Sequence, residues 1–185
     1  MLTGGYDMSD KVVNETEKPG AGTVFKLVMI GLAGGIVGAF PYAVLLCALD
    51  ISSIAMMVLC GIGAVVFYLA LGHGPMKGPH PYIILAADSV LAAAITNTVT
   101  NMIHYVPKVE IAGSKMNYFE KLKYFYSFSF SHPDKITSQG FEVYEDAFAV
   151  PTVLTASIIF ALIGAVAAFV GLKIYEYRKA NKGRA

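Results

Sequence analysis

The stretch AADSVLAAAITNTVTNMIHY, Ala86 to Tyr105, decides how this chain is read. It is apolar enough to enter a membrane. It nevertheless carries Asp88, Asn97, Thr100, Asn101 and His104. A hydrocarbon layer offers no hydrogen-bond partners, so each of these groups must find one inside the protein or at an interface. A helix holding them is therefore expected to sit in a bundle with its polar side turned inward.

The rest of the composition agrees. Of the 185 residues, 56% are hydrophobic and only 15% charged, against about 25% charged in a soluble domain. The apolar residues come in blocks, the mark of an integral membrane protein. A helix needs about 20 apolar residues to cross the hydrocarbon. Four segments meet this: residues 27–49, 51–71, 82–105 and 149–173. Asp50, Ser52 and Ser53 make a tight hairpin between the first two. GHGPMKGPHP, Gly72 to Pro81, separates the second from the third, because its prolines and glycines cannot continue a helix. The expected fold class is all-α integral membrane, with four transmembrane helices and a long aromatic-rich loop between the third and fourth. The expected division is a polar N-terminal tail over 1–26, three spans over 27–105, an extramembrane loop over 106–148, the last span over 149–173 and a basic tail over 174–185.

Four spans put both termini on one side. That side holds nine of the fourteen Lys and Arg, including the cluster KIYEYRKANKGRA. The five remaining lysines share the long loop with six acids. Lys and Arg mark cytoplasmic loops, so both termini are expected in the cytoplasm of a multi-pass cell-membrane protein. The basic end could touch anionic lipid. The first twenty residues lack the three regions of a signal peptide.

Within the long loop, MNYFEKLKYFYSFSFSHP is dense in aromatic rings. Phe119, Leu122, Tyr126 and Phe130 fall near one helical face, whereas Tyr126, Phe128 and Phe130 alternate with serines as a strand would. The expectation is a helix from Tyr118 to about Phe125, followed by an extended piece. The rings serve either as interfacial anchors or as a surface for a partner subunit.

At about 100° per residue, Asn97, Thr100, Asn101 and His104 share one stripe of the third span, and Asp88 falls on nearly the opposite face. The polar stripe suits contacts between helices. Asp88 is the sole acid inside a span and the candidate for an ion path, shared with another helix or subunit at the cytoplasmic side. A bond to Lys77, to His80 or to backbone is an equally simple account of it. In the first span, Gly31 and Gly35, and Gly34 and Gly38, are spaced by four, which lets helix backbones approach closely. Ala161, Gly164, Ala165, Ala168 and Gly171 make a similar side on the last span. So many small residues suggest contacts beyond a lone bundle, with other membrane subunits or a second copy. Pro41 is expected to kink the first span.

No Cys/His cluster with metal-ligand spacing, phosphate loop or nucleophile motif is present, so no metal, cofactor or catalytic residue is expected. Cys47 and Cys60 lie in apolar runs and suit small inert hydrophobes. The net charge of +1 argues against nucleic acid.

Together, MIGLAGGIVGAFPY, the turn GHGPMKGPHP leading into YIILAADSV, and AVPTVLTASIIFALIGAVAAFVG resemble membrane subunits of methanogen energy-converting complexes. The nearest are glycine-rich subunits of the sodium-pumping tetrahydromethanopterin:coenzyme M methyltransferase, with energy-converting hydrogenases a related possibility. The resemblance covers about half of the chain and implies a non-catalytic subunit that couples soluble chemistry to ion movement. It carries over no individual residue. The competing class is a small-solute transporter or its membrane substrate-binding component; the lack of an internal repeat counts against it.

Overall fold

A computed structural model describes residues 20–51, 53–71, 79–109, 115–131 and 150–182. All regular structure among them is helical: α1 (Ala21–Leu49), α2 (Val58–Leu71), α3 (His80–His104), α4 (Tyr118–Ser131) and α5 (Val150–Lys182). Single 3-10 turns at Ile54–Met57 and Val106–Lys108 lead into α2 and out of α3. Four segments are long and apolar enough to cross a membrane: Ala21–Leu49, Ile54–Leu71, His80–Lys108 and Pro151–Ile174. The hairpin between α1 and α2 and the exit of α3 share one end of the bundle, here the hairpin end. The opposite end, where α1 starts and α5 finishes, is the tail end.

Each boundary has a local cause. α1 stops at Asp50, whose φ of 58° places it in the left-handed region, which Asp tolerates better than most non-glycine residues. The amides of Asp50 and Ile51 then both return to the Leu45 carbonyl, closing the helix end. α4 begins with a reciprocal cap. The Glu120 amide donates to Asn117 Oδ1 at 3.0 Å, and the Asn117 amide donates to Glu120 Oε2 at 2.8 Å. Each thus satisfies a donor that the first helical turn leaves open.

The sequence boundaries need correction in several places. α1 starts at Ala21, so Lys26 lies inside the helix and not in a tail. α5 runs on to Lys182, so most of the expected basic tail, 174–185, is helical. α4 continues without a break to Ser131, where an extended piece was expected after Phe125. Phe125 and Ser129, four apart, are both buried, and that helical pair outweighs the strand-like alternation of rings and serines. The region between the third and fourth spans is therefore partly a packed helix. α1 passes through Pro41 without ending. The turn at 72–78, with Lys77, and the loop at 132–149 lie outside the described residues, as does the stretch 1–19.

The four long helices form a ring. α1 packs on α2 and α3, α5 packs on the same two, and α1 and α5 sit across the diagonal. The buried residues follow rows spaced by four: 27–31–35–39 and 42–46 in α1, 85–89–93–97–101 and 88–92–96–100–104 in α3, and 153–157–161–165 in α5. A step of four residues advances about 40° around a helix of 3.6 residues per turn. The buried stripe of α3 therefore winds around its axis as it rises.

The small residues line the seams of this ring. A Cβ at Gly34 or Gly38 would run into α2, at Gly63 and Phe67 or at the Leu59 carbonyl. One at Gly31 or Gly35 would meet Asp88 and Leu85, or Ala92, on α3. Gly61 and Gly164 hold α2 against α5 in the same way. These glycines serve packing within the chain, so they do not by themselves point to contacts beyond it.

Candidate functional site

The polar residues of α3 are all interior. Asp88, Ser89, Thr96, Asn97, Thr100, Asn101 and His104 are buried. On a straight helical wheel Asp88 and Asn97 oppose each other, yet both belong to the winding buried stripe. The two stand on opposite faces of α3, as their spacing implies, and both faces are interior to the bundle. At about 1.5 Å per residue, Asp88 lies about 12 Å from the start of α3, and Asn97 about 14 Å further on.

Toward the tail end, Leu27, Val65 and Leu85 form an apolar plug, joined by Tyr68, Tyr82, Phe169 and their neighbours. The Tyr82 ring meets Phe169 edge-on at 5.0 Å, and the Lys173 ammonium sits 5.8 Å from its centroid. Just beyond this plug is Asp88, only 4% exposed. Its Oδ2 has no hydrogen-bond partner among the described residues. It lies against the Gly31 backbone, which has room for it only because Gly31 lacks a side chain. Among the described residues neither His80 nor any other group bonds to it, and Lys77 lies outside them.

At the next residue, the hydroxyl of Ser89 donates to the Leu85 carbonyl at 2.7 Å, and the Cys60 thiol donates to the Ser89 carbonyl at 3.4 Å. Such bonding satisfies the hydroxyl within its own helix. Thr100 does the same with the Thr96 carbonyl at 2.6 Å, while Thr96 Oγ1 is buried without a partner among the described residues.

The centre of the network is Asn97. Its amide nitrogen donates to Tyr42 on α1 at 3.5 Å and to Ser157 on α5 at 3.4 Å, and its Oδ1 accepts from Asn101 at 3.0 Å. One side chain on α3 thereby ties together the two helices that sit diagonally across the ring. Tyr42 and Ser157 were not singled out from sequence. Ser157 is detectable in retrospect as a hydroxyl on the small-residue row of the last span. Tyr42 has no comparable signal.

At the hairpin end, His104 Nε2 lies 2.9 Å from Asp50 Oδ1 and 2.9 Å from Lys108 Nζ, and Lys108 is 3.6 Å from the same carboxylate oxygen. A single ring nitrogen cannot donate to the carboxylate and accept from the ammonium together. With Nε2–H directed at Asp50, the ring N–H and the Lys108 ammonium both face the one carboxylate, and we take that arrangement. Sequence reading gave Asp50 only a role in breaking the helix. Here it also joins the first hairpin to the end of α3.

The nine residues proposed from sequence therefore serve several different contacts. Asp88 meets Gly31, and Gly35 lies one turn along the same seam. Asn97 and His104 make the tertiary bonds, Asn101 and Thr100 bond within α3, and Gly34 and Gly38 belong to the α2 seam. Among the described residues there is no group of three metal-ligating side chains, and Cys47 and Cys60 are both free thiols. What the arrangement offers chemically is one carboxylate and a row of amides and hydroxyls inside an apolar bundle.

No protein-family model, curated protein or solved structure matches this chain.

Proposed function

We propose that the chain is a non-catalytic integral membrane subunit of a larger energy-converting or ion-translocating complex, set in the cell membrane with both termini in the cytoplasm. One observation carries this reading: a carboxylate oxygen of Asp88, buried within a membrane-span helix and without a hydrogen-bond partner. An ionisable group at such depth is costly, and where it persists it marks ion pathways and proton relays more often than ordinary packing. The polar groups continue from Asp88 toward the hairpin end through Asn97, Asn101 and His104, while the apolar plug closes the tail-end side. A half-path that starts at Asp88 and needs a second component to complete it suits an accessory subunit.

Two measurements test the reading. Purification in mild detergent is expected to recover other membrane chains with this one. Asp88→Asn keeps the shape and removes the charge. In reconstituted membranes the variant complex is expected to assemble but to lose ion-coupled activity. Unchanged activity in a fully assembled Asp88→Asn complex assigns Asp88 a structural role and removes the basis of the proposal.

A further inference from the structure

Among the described residues, α4 is the one α-helix outside the four spans; it packs on the turn at Val106–Lys108 and on α5, and reaches α3 through two tyrosines. The Tyr118 hydroxyl donates to the Met102 carbonyl at 3.0 Å, and the Tyr126 hydroxyl donates to the Thr98 carbonyl at 3.3 Å. Both carbonyls belong to a membrane-span segment. Thr98 is six residues before the end of α3, about 9 Å down its axis at about 1.5 Å per residue. Two tyrosines of α4 thus reach along the side of the third span, below its end.

The remaining faces of α4 sort by environment. Leu122, Phe125, Tyr126 and Ser129 pack inward; Phe125 stacks on Tyr105 beside Val106 and Val109. At about 100° per residue, Glu120 and Ser127 fall on the side away from that contact. Phe119 and Phe130 share one flank between the two, 78% and 59% exposed. Lys123 lies on the same flank, on a stem long enough to lift its charge toward water. Apolar rings on a flank, a polar ridge opposite the packed face and tyrosyl hydroxyls bonded below suit a helix lying in the boundary between headgroups and acyl chains. The flank also continues an existing apolar surface: Val99 and Ile103, each one residue on from a carbonyl that α4 binds, are exposed on α3.

From this geometry we propose that α4 is an interfacial lipid-binding helix, seated in the leaflet at the hairpin end with Phe119 and Phe130 inserted among the acyl chains. The occupant of the exposed flank is the lipid surface itself. This assignment does not depend on the function proposed above.

The sequence contains no tryptophan, so single Phe119→Trp and Phe130→Trp variants each report one position alone. They are reconstituted in phosphatidylcholine vesicles whose acyl chains carry bromine either near the headgroup or near the chain end. Ile163→Trp, on the exposed face in the middle of the last span, is the deep reference. Because an interfacial helix is buried about 5–10 Å, bromines near the headgroup are expected to quench both α4 tryptophans at least about twofold and deep bromines to quench them less. The Ile163→Trp reference is expected to show the reverse order. Quenching by aqueous acrylamide with none by either bromolipid would place the flank in water and overturn the proposal. Quenching by neither would mean that protein covers it, either another part of this chain or a second copy, and would overturn it equally. If a tryptophan variant fails to fold, a nitroxide on Phe119→Cys in a Cys47→Ser, Cys60→Ala background reads the same depth through its exposure to oxygen and to a water-soluble nickel complex. Nickel exposure exceeding oxygen exposure would again overturn it.

Discussion

A methyl group on Gly38 would overlap the Leu59 carbonyl, and one on Gly164 the carbonyl of Val58. Both obstacles are backbone, which cannot swing aside. Gly38→Ala and Gly164→Ala are each expected to cost about 1–3 kcal/mol, the usual penalty of overpacking. Gly171→Ala meets open space and is expected to cost nothing measurable. Reversible unfolding in mixed micelles reads the difference, and equal effects at all three sites would contradict the packing described. Gly31 differs because its obstacles are side chains, Asp88 and Leu85. Its alanine variant is expected to couple to Asp88→Ala by about 0.5–3 kcal/mol in a double-mutant cycle, as contacting residues do. Additive effects would separate the two residues. The sequence displayed the spacing of these glycines and the lone acid in a span. It held no sign that Gly31 and Asp88 meet, because residue spacing says which positions share a helix face but not which helix lies opposite.

For elements, local pattern was a good guide to existence and a poor one to extent. The four spans were legible because each is a run of about 20 apolar residues, a length that the bilayer itself imposes. The start of α4 at Tyr118 was legible as well, and the Asn117–Glu120 cap is a further signal in the residues themselves. Its end was not, since Tyr126, Phe128 and Phe130 alternate with serine in a strand-like period while helical burial of Phe125 and Ser129 prevails. The helical wheel of α3 set Asp88 and Asn97 on opposite faces but held no sign that both faces are interior. A wheel assumes a straight buried face, whereas rows spaced by four wind, so Asp88 and Asn97 are half a turn apart and still both interior. If Phe125 is what seats α4 on the bundle, Phe125→Ala should remove an anchor worth about 3–5 kcal/mol. That loss falls on one short helix and not on the ring. Hydrogen exchange is therefore expected to accelerate across 118–131 while α1, α2, α3 and α5 keep their protection. Uniform loosening of all five helices would show that Phe125 belongs to the common core instead.

In the whole molecule, the glycine seams close a ring of four helices on itself and leave large aliphatic side chains such as Val37, Leu91, Ile163 and Val170 outermost. Lipid suits that surface, so the ring can hold its shape without a partner, and any partner must recognise something other than the glycine rows. The charges outside the ring then decide which way it faces. An even number of spans sets residue 20 and the end of α5 at one end, and the exit of α3 with α4 at the other. Nine of fourteen basic residues fall on the tail end by this count, and the hairpin end offsets its five lysines with more acids than that. Lys and Arg near span ends resist transfer across the membrane, so the tail end should stay in the cytoplasm. The orientation is checked with single cysteines in a Cys47→Ser, Cys60→Ala background, using a membrane-impermeant maleimide on intact cells. A cysteine replacing Lys115, exposed just before α4, is expected to react, and one replacing Gly20, exposed at the head of α1, to react only after the membrane is opened. The reverse pattern would invert the molecule. It would also put Asp88, which lies nearer the tail end, on the outer side of the membrane.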